Sequence, residues 1–312
     1  MASMNFPFTI NPVLTAIALG YSNADLIADR VMPRVQVAKP QFLYWSYAKG
    51  DAMTIPNTKV GRTSRPNQVE FAASQLSGTT TDHALDVPVP NADIEAASGT
   101  QYDPRARATQ LCADLIALDR EQRVASAVFN AANYTATTNK ATLSGTGQWS
   151  DPASDPIRAM LLARDGMIMR PTTLVVGQDV ATQLQLNPNV VSMYVKNTGT
   201  KGVVPLDFIR DIMGLRDVLV GQSWYNSAKP GQTPTLARLW GKFAALLCLS
   251  PLANNEFGTT FGYTAQWGSR IAGEIQEPNM GMRGGVNVRV GESVGEIITA
   301  PDLGFLWSAA VA

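Results

Sequence analysis

Asp103-Pro104-Arg105-Ala106-Arg107-Ala108-Thr109-Gln110-Leu111-Cys112-Ala113-Asp114-Leu115-Ile116-Ala117-Leu118-Asp119-Arg120-Glu121-Gln122-Arg123-Val124-Ala125-Ser126-Ala127-Val128-Phe129 carries the strongest helix signal in the chain. Asp103 is a helix-capping residue type, and Pro104 suits the first helical position, where its missing N–H costs nothing. Leu111, Leu115 and Leu118 fall on one stripe at helical spacing. Cys112 and Ile116 lie beside it, and Val124, Val128 and Phe129 follow. Asp114, Asp119, Arg120, Glu121 and Arg123 are expected on the polar face. The pattern fades near Asn133, so the spacing predicts a spine helix over about 103–133, roughly 45 Å long at ~1.5 Å per residue. A helix of that length must cross the whole breadth of a domain.

Upstream, residues 41–95 read as extended structure. Phe42-Leu43-Tyr44-Trp45-Ser46-Tyr47 is rich in strand formers, and Lys49-Gly50-Asp51-Ala52 is a turn signal. Thr58 to Gln68 holds Lys59, Arg62 and Arg65 with Gly61 and Pro66 and almost no apolar content, the profile of an exposed loop tip. Val69 to Leu76 and Thr79 to Val89 resume the strand pattern. Two extended arms flanking a basic tip describe a long projecting hairpin, a motif only marginally stable alone. Before it, residues 1–40 form an arm interrupted by Pro7, Pro12, Pro33 and Pro40, with short helices expected at Asn11–Leu19 and Ala24–Arg30. Leu14, Ile17, Leu19, Leu26 and Ile27 need a surface, either their own domain's or a neighbour's.

Downstream, Tyr134 to Ser150 reads as irregular loop, and Asp155-Pro156 starts a helix running to Met169. Thr172–Val176, Asp217–Val220 and Phe243–Leu249 are strand candidates, the last apolar enough to be central. Helices are expected at Gln178–Leu186, stopped by Pro188, and at Pro205–Met213, closed by Gly214. This stretch reads as a compact α/β unit. The chain then returns to β structure at Thr259–Trp267, Asn287–Val290, Gly295–Ile298 and Gly304–Trp307.

Composition narrows the function classes. The chain has 312 residues, of which 45% are hydrophobic and 16% charged. The charged fraction is well below the usual ~25%. That excludes disorder driven by charge and points to surface that meets protein rather than water. Lys plus Arg and Asp plus Glu are both 25. A neutral chain meets little repulsion on self-association and lacks the basic excess of a dedicated nucleic-acid binder. One histidine and two distant cysteines, Cys112 and Cys248, rule out His-rich metal sites, zinc ribbons and disulfide frameworks. No apolar run is long enough for a membrane span, which needs ~20 residues. No signal peptide is visible, so synthesis in the cytoplasm is expected.

Catalytic motifs fail one by one. Gly291-Glu292-Ser293-Val294-Gly295 fits a nucleophile elbow, but no histidine follows His83, so the triad cannot be assembled and a β-turn is expected there. His83 itself reads as a hydrogen-bonded strand residue. Gly241-Lys242 lacks the upstream glycine of a phosphate-binding loop. Asp93 and Glu95 read as a solvated strand end. Catalytic, cofactor-binding and metal-ligating residues are therefore all expected to be absent. Lys59, Arg62 and Arg65 could grip nucleic acid, but without interleaved aromatics a pairing with acidic residues of a neighbouring subunit fits better.

The order of elements is more informative than any motif: arm, long hairpin with a basic tip, spine helix, α/β unit, β return. With Asn11-Pro12-Val13-Leu14-Thr15, Ile27-Ala28-Asp29-Arg30-Val31-Met32-Pro33 and Thr173-Leu174-Val175-Val176-Gly177, it resembles the major capsid proteins of tailed bacteriophages (Caudoviricetes). That α+β fold is shared with encapsulins and the floor of the herpesvirus shell. The resemblance implies an N-terminal arm at 1–40 and an E-loop at 41–95. It implies a peripheral P-domain at 96–172 and 251–312, and an axial A-domain at 173–250. It implies a shell of hexamers and pentamers around double-stranded DNA, lodged in the virion, with Leu14, Ile17, Lys59, Arg62 and Arg65 at inter-subunit contacts. The sequence shows no large helical segment before the arm, so either a separate scaffolding protein or an already processed chain is expected. A portal is a further implied partner, while the need for a decoration protein is not readable from the sequence. Lys59 has no assignable partner Asn or catalytic Glu, so no covalent crosslink is expected. Two readings stay open beside this one. One is an encapsulin-type compartment, which would carry a cargo-peptide groove. The other is an enzyme without a recognisable motif.

Overall fold

The computed structural model describes residues 8–20, 25–47, 55–68, 73–134, 136–195, 202–229, 231–250 and 259–312. The expected turn at Lys49–Ala52, the strand onset at residues 69–72 and the helix start at Ala24 lie outside these residues.

The spine helix starts as expected and ends early. It spans Pro104–Val128, with the Asp103 carboxylate accepting from Arg105 N. Its 25 residues make it about 37 Å long rather than 45 Å. The end is enforced from downstream: Asn133 Nδ2 donates to Ala127 O at 2.7 Å and Tyr134 OH to Val128 O at 2.8 Å. These side chains satisfy carbonyls that a longer helix would have bonded internally. The buried stripe also differs from the expected one. Ala108, Cys112, Ile116, Arg120, Val124 and Val128 face inward, whereas Leu111 and Leu115 are 44% and 54% exposed. Small residues at 108, 112 and 113 let the helix approach its sheet closely, so the leucines are turned outward.

That sheet has the order Thr9–Ile10, Gly262–Glu277, Gly285–Ile298, Thr81–Pro90, with Arg34–Val37 added parallel to the 262–277 strand. Val286, Val288, Val290 and Val89 point at the spine helix and, with Leu14 and Ala18, form one core cluster. The two central strands are continuous where separate short strands were expected. Gly291–Gly295 is not a turn: it lies inside a 14-residue strand, with Gly291 opposite Ile271 and Gly295 opposite Ala265. Its glycines are steric. A Cβ on Gly295 would fall 2.5 Å from Thr79 O, closer than the strand crossing allows. Asp93 and Glu95 sit on a short helix, Asn91–Ala96, where Glu95 pairs with Arg283 at 2.7 Å.

A second five-stranded sheet has the order Lys140–Thr142, Gly304–Ser308, Ala244–Leu247, Thr173–Gly177, Asp217–Gly221. The 244–247 strand is central, as its apolar run predicted. Both faces of this sheet are covered, which explains the unbroken hydrophobic runs. Leu174, Val176, Ala244 and Leu246 face the helices Pro156–Gly166, Gln178–Leu186, Pro188–Tyr194 and Leu206–Met213. Val175, Leu219, Ala245 and Leu247 face the spine helix and the arm. Pro188 opens a helix instead of merely stopping one, because Asn187 accepts from Asn189 N and Val190 N as its cap. The Pro156 helix stops at Gly166, three residues short of the expected Met169. Strands at 140–142 and 304–308 complete this sheet from outside the 173–250 stretch. Among the described residues no helix is long and apolar enough to cross a membrane.

Candidate assembly site

Two features stand out as places where copies of the chain could meet or be shaped to meet: the anchorage of the arm, and the projecting hairpin.

The arm is held by an ionic cluster built around buried Arg120 and Glu292, of which the sequence reading placed Arg120 on the polar face of the spine helix. Arg120 lies on the inward stripe of the spine helix and is 2% exposed. Its guanidinium pairs with Asp29 and donates to Met32 O at 3.1 Å and Thr264 Oγ1 at 3.0 Å. Arg34 bridges Asp29 at 2.8 Å and Glu292 at 2.8 Å. Arg270 reaches the same Glu292 at 3.2 Å and donates to Ala18 O at 3.0 Å. Burial alone would push the Glu292 carboxyl up. The Arg34 hydrogen bond and the charges of Arg270, Arg34 and Arg120 outweigh it and hold Glu292 below the usual glutamate range. Asp29 is likewise held low, with burial opposed by Arg120 and Arg34. So the cluster stays ionised near neutrality, and each charge has a partner.

The neighbouring residue makes a second anchor. Glu121 Oε2 accepts from Ala28 N at 2.7 Å, and Oε1 accepts from Ile27 N at 3.0 Å and Trp240 Nε1 at 2.7 Å. It thereby caps the short helix Ala28–Val31, whose own cap residue is Ile27. Burial raises the Glu121 carboxyl, and the three donors offset part of that rise.

The hairpin pairs Gln41–Tyr47 with Ala73–Thr79 in a single antiparallel register, Gln41 opposite Thr79 and Tyr47 opposite Ala73. Its root is wedged into the body. Phe42 packs with Tyr263 and Ile297, and a Cβ on Gly78 would come within 2.8 Å of both Phe42 and Ile297. Beyond the root, every residue of 55–68 is exposed. Lys59, Arg62 and Arg65 lie here together, and none makes an ion pair among the described residues. The loop is not purely polar, since Ile55 is 94% and Val60 44% exposed.

The two arm residues fare differently. Leu14 is 3% exposed and packs inside its own chain against Ala108 and Cys112, with Ile17 partly buried on the same cluster. Leu14 is therefore a core residue and not a surface for a neighbour. The helix Pro12–Gly20 turns Val13 and Leu19 outward instead, at 68% and 57% exposure. His83 is a hydrogen-bonded strand residue, 2.9 Å from Thr81 Oγ1 and 3.3 Å from Arg123. Cys112 and Cys248 are free and buried, and burial with the nearby Asp86 pushes the Cys112 thiol up to about 11.

The sequence reading missed Arg34, Arg120, Glu121, Trp240, Arg270 and Glu292. A signal existed for one of them: Arg120 continues the 108, 112, 116 series at four-residue spacing, which places it in the core.

Comparison with known proteins gives one answer. A family profile described as phage capsid protein matches residues 91–269. The major capsid protein of Pseudomonas phage JBD67 is 49% identical over 308 residues, 99% of either chain. A phage-related protein from Bordetella bronchiseptica superposes with a TM-score of 0.76 at 21% identity, over 98% of this chain and 99% of that one. The capsid of cyanophage P-SCSP1u gives a TM-score of 0.60 at 12% identity, over 99% and 93% of the two chains. These likenesses agree in sequence and in fold along the whole chain, and the chain belongs to the phage major capsid protein family.

Proposed function

We propose that copies of this chain assemble as hexamers and pentamers into the icosahedral shell that encloses phage double-stranded DNA, and that its role is structural rather than catalytic. The observation that carries this reading is the hairpin. A single copy holds out a loop, residues 55–68, whose cations make no ion pair among the described residues and whose Ile55 is in solvent, a surface suited to a neighbouring copy. On this reading residues 1–40 are the arm, 41–95 the E-loop, 96–172 and 251–312 the peripheral domain, and 173–250 the axial domain. Strand 304–308 then joins the axial sheet from the peripheral segment. Many weak contacts repeated around a closed shell give collective stability through multivalency. A net charge of zero lets like subunits pack. The same neutrality leaves only weak, sequence-independent contact with packaged DNA. Synthesis in the bacterial cytoplasm, a separate scaffolding protein and a portal complete the scheme.

Lys59, Arg62 and Arg65 are assigned to contacts with acidic groups of the adjacent subunit. Reversing all three to glutamate should leave the melting temperature of the free subunit unchanged, because the three side chains are exposed and make no ion pair among the described residues. Particle yield, read by sedimentation, should fall at least about tenfold, the effect of losing ~1.4 kcal/mol per subunit contact. Wild-type yields from the triple variant would refute the contact.

A further inference from the structure

We infer that Glu121 and Trp240 are positioning residues that fix the arm, the spine helix and the five-stranded sheet at one angle, and that this angle sets the uniform size of the assembled shell. The inference rests on the shell reading above. It starts from one fully buried carboxylate with three donors from different parts of the fold. Ile27 and Ala28 bring the arm, Glu121 itself is on the spine helix, and Trp240 belongs to the segment entering the 244–247 strand.

Trp240 is locked to the sheet by shape. It is fully buried, and a Cβ on Gly221, the last residue of the 217–221 strand, would fall 2.0 Å from its Cγ. On the neighbouring strand a Cβ on Gly177 would fall 1.9 Å from Gly241 O. The Trp240-Gly241 turn therefore sits directly on two strand ends, with no room to slide. From the other side, Phe129 at the end of the spine helix meets the indole edge-on, with ring centroids 5.5 Å apart. Arm, spine and sheet residues also share one core cluster around this point, including Val31, Val124 and Leu219.

The leverage is geometric. Glu121 stands 17 residues from the start of the helix at Pro104, about 25 Å along the axis. A rotation of about 5° at this node moves the far end by about 2 Å, enough to misplace packed contacts. In a closed shell the same error is repeated at every subunit, so small tilts change curvature. A carboxylate suits the node because it is acceptor-only, whereas an amide would turn an NH₂ toward backbone N–H donors.

The test uses Trp240→Phe, which keeps the ring against Phe129 and removes the N–H. Loss of one hydrogen bond should lower the subunit's melting temperature by no more than about 5 °C. Trp149→Phe is the control: Trp149 is equally buried, lies in a different core cluster, and its Nε1 has no hydrogen-bond partner among the described residues. Particle diameters are then measured by cryo-electron microscopy. The expected result is one diameter for wild type and for Trp149→Phe, and several diameters or unclosed shells for folded Trp240→Phe. Wild-type diameters from Trp240→Phe would overturn the inference and leave the shell reading intact, as would the same scatter from Trp149→Phe. Wild-type protein that forms no shells even when crowding agent or a scaffolding protein is added would overturn the shell reading itself. Glu121→Gln extends the series: if folded, it should scatter diameters at least as widely as Trp240→Phe, and a single wild-type diameter would also count against the inference.

Discussion

Replacing Glu292 by alanine is expected to cost about 3–5 kcal/mol of folding stability, the usual penalty for stripping the partner from buried charges. The Glu292 side chain is wholly buried, and its loss leaves Arg34 and Arg270 without the carboxylate they share. Against a typical total of ~5–15 kcal/mol, that is a large fraction. Urea denaturation of the free subunit measures it directly. A cost below about 1 kcal/mol, the range of an exposed ion pair, would show that the cluster does not hold the arm. The same charges give a pH signature. Glu292 and Asp29 are held below their ordinary values of 4.5 and 3.8, so their contribution is present above those values. It is lost as the pH falls through the lower values of the folded state. Glu121 works in the opposite sense, since burial raises it: protonation favours the folded form there, and stability declines as the pH rises through its folded value. Wild type should therefore lose denaturant resistance below about pH 4, and Glu292→Ala should lose less over that interval.

Trp307→Ala should cost about 3–5 kcal/mol as well, by a different mechanism. Trp307 is 2% exposed and packs between Trp149 and Phe305, with ring centroids 5.5 and 4.5 Å away. It sits on the 304–308 strand, which pairs with the central 244–247 strand. Removing the indole leaves a cavity between a strand and a helical layer that cannot collapse onto it. If the variant unfolds at the wild-type urea concentration, the C-terminal strand is not part of the cooperative core, contrary to the packing described here.

These residues also mark what a sequence can and cannot disclose. The start of the spine helix was legible because Asp103-Pro104 is a local signal. Its end was not, because Asn133 and Tyr134 reach back to carbonyls five or more residues upstream. The exposed loop was legible over Thr58–Gln68 from polarity alone, although exposed Ile55 on its flank was overlooked. The two long central strands were split in the reading because glycines and charges interrupt their hydrophobic pattern. In the structure those glycines admit neighbouring backbone, and Glu292 meets an arginine 258 residues away in sequence. No local window holds both partners of such a pair. The outward turn of Leu111 and Leu115 was likewise invisible, since both candidate stripes are apolar and only the approach of the sheet selects between them.

Whether the purified chain builds a shell is decided by electron microscopy under assembling conditions. Uniform shells, or rings of hexamers and pentamers, are the predicted result. A monodisperse small species that stays small when crowding agent or a scaffolding protein is added would contradict it.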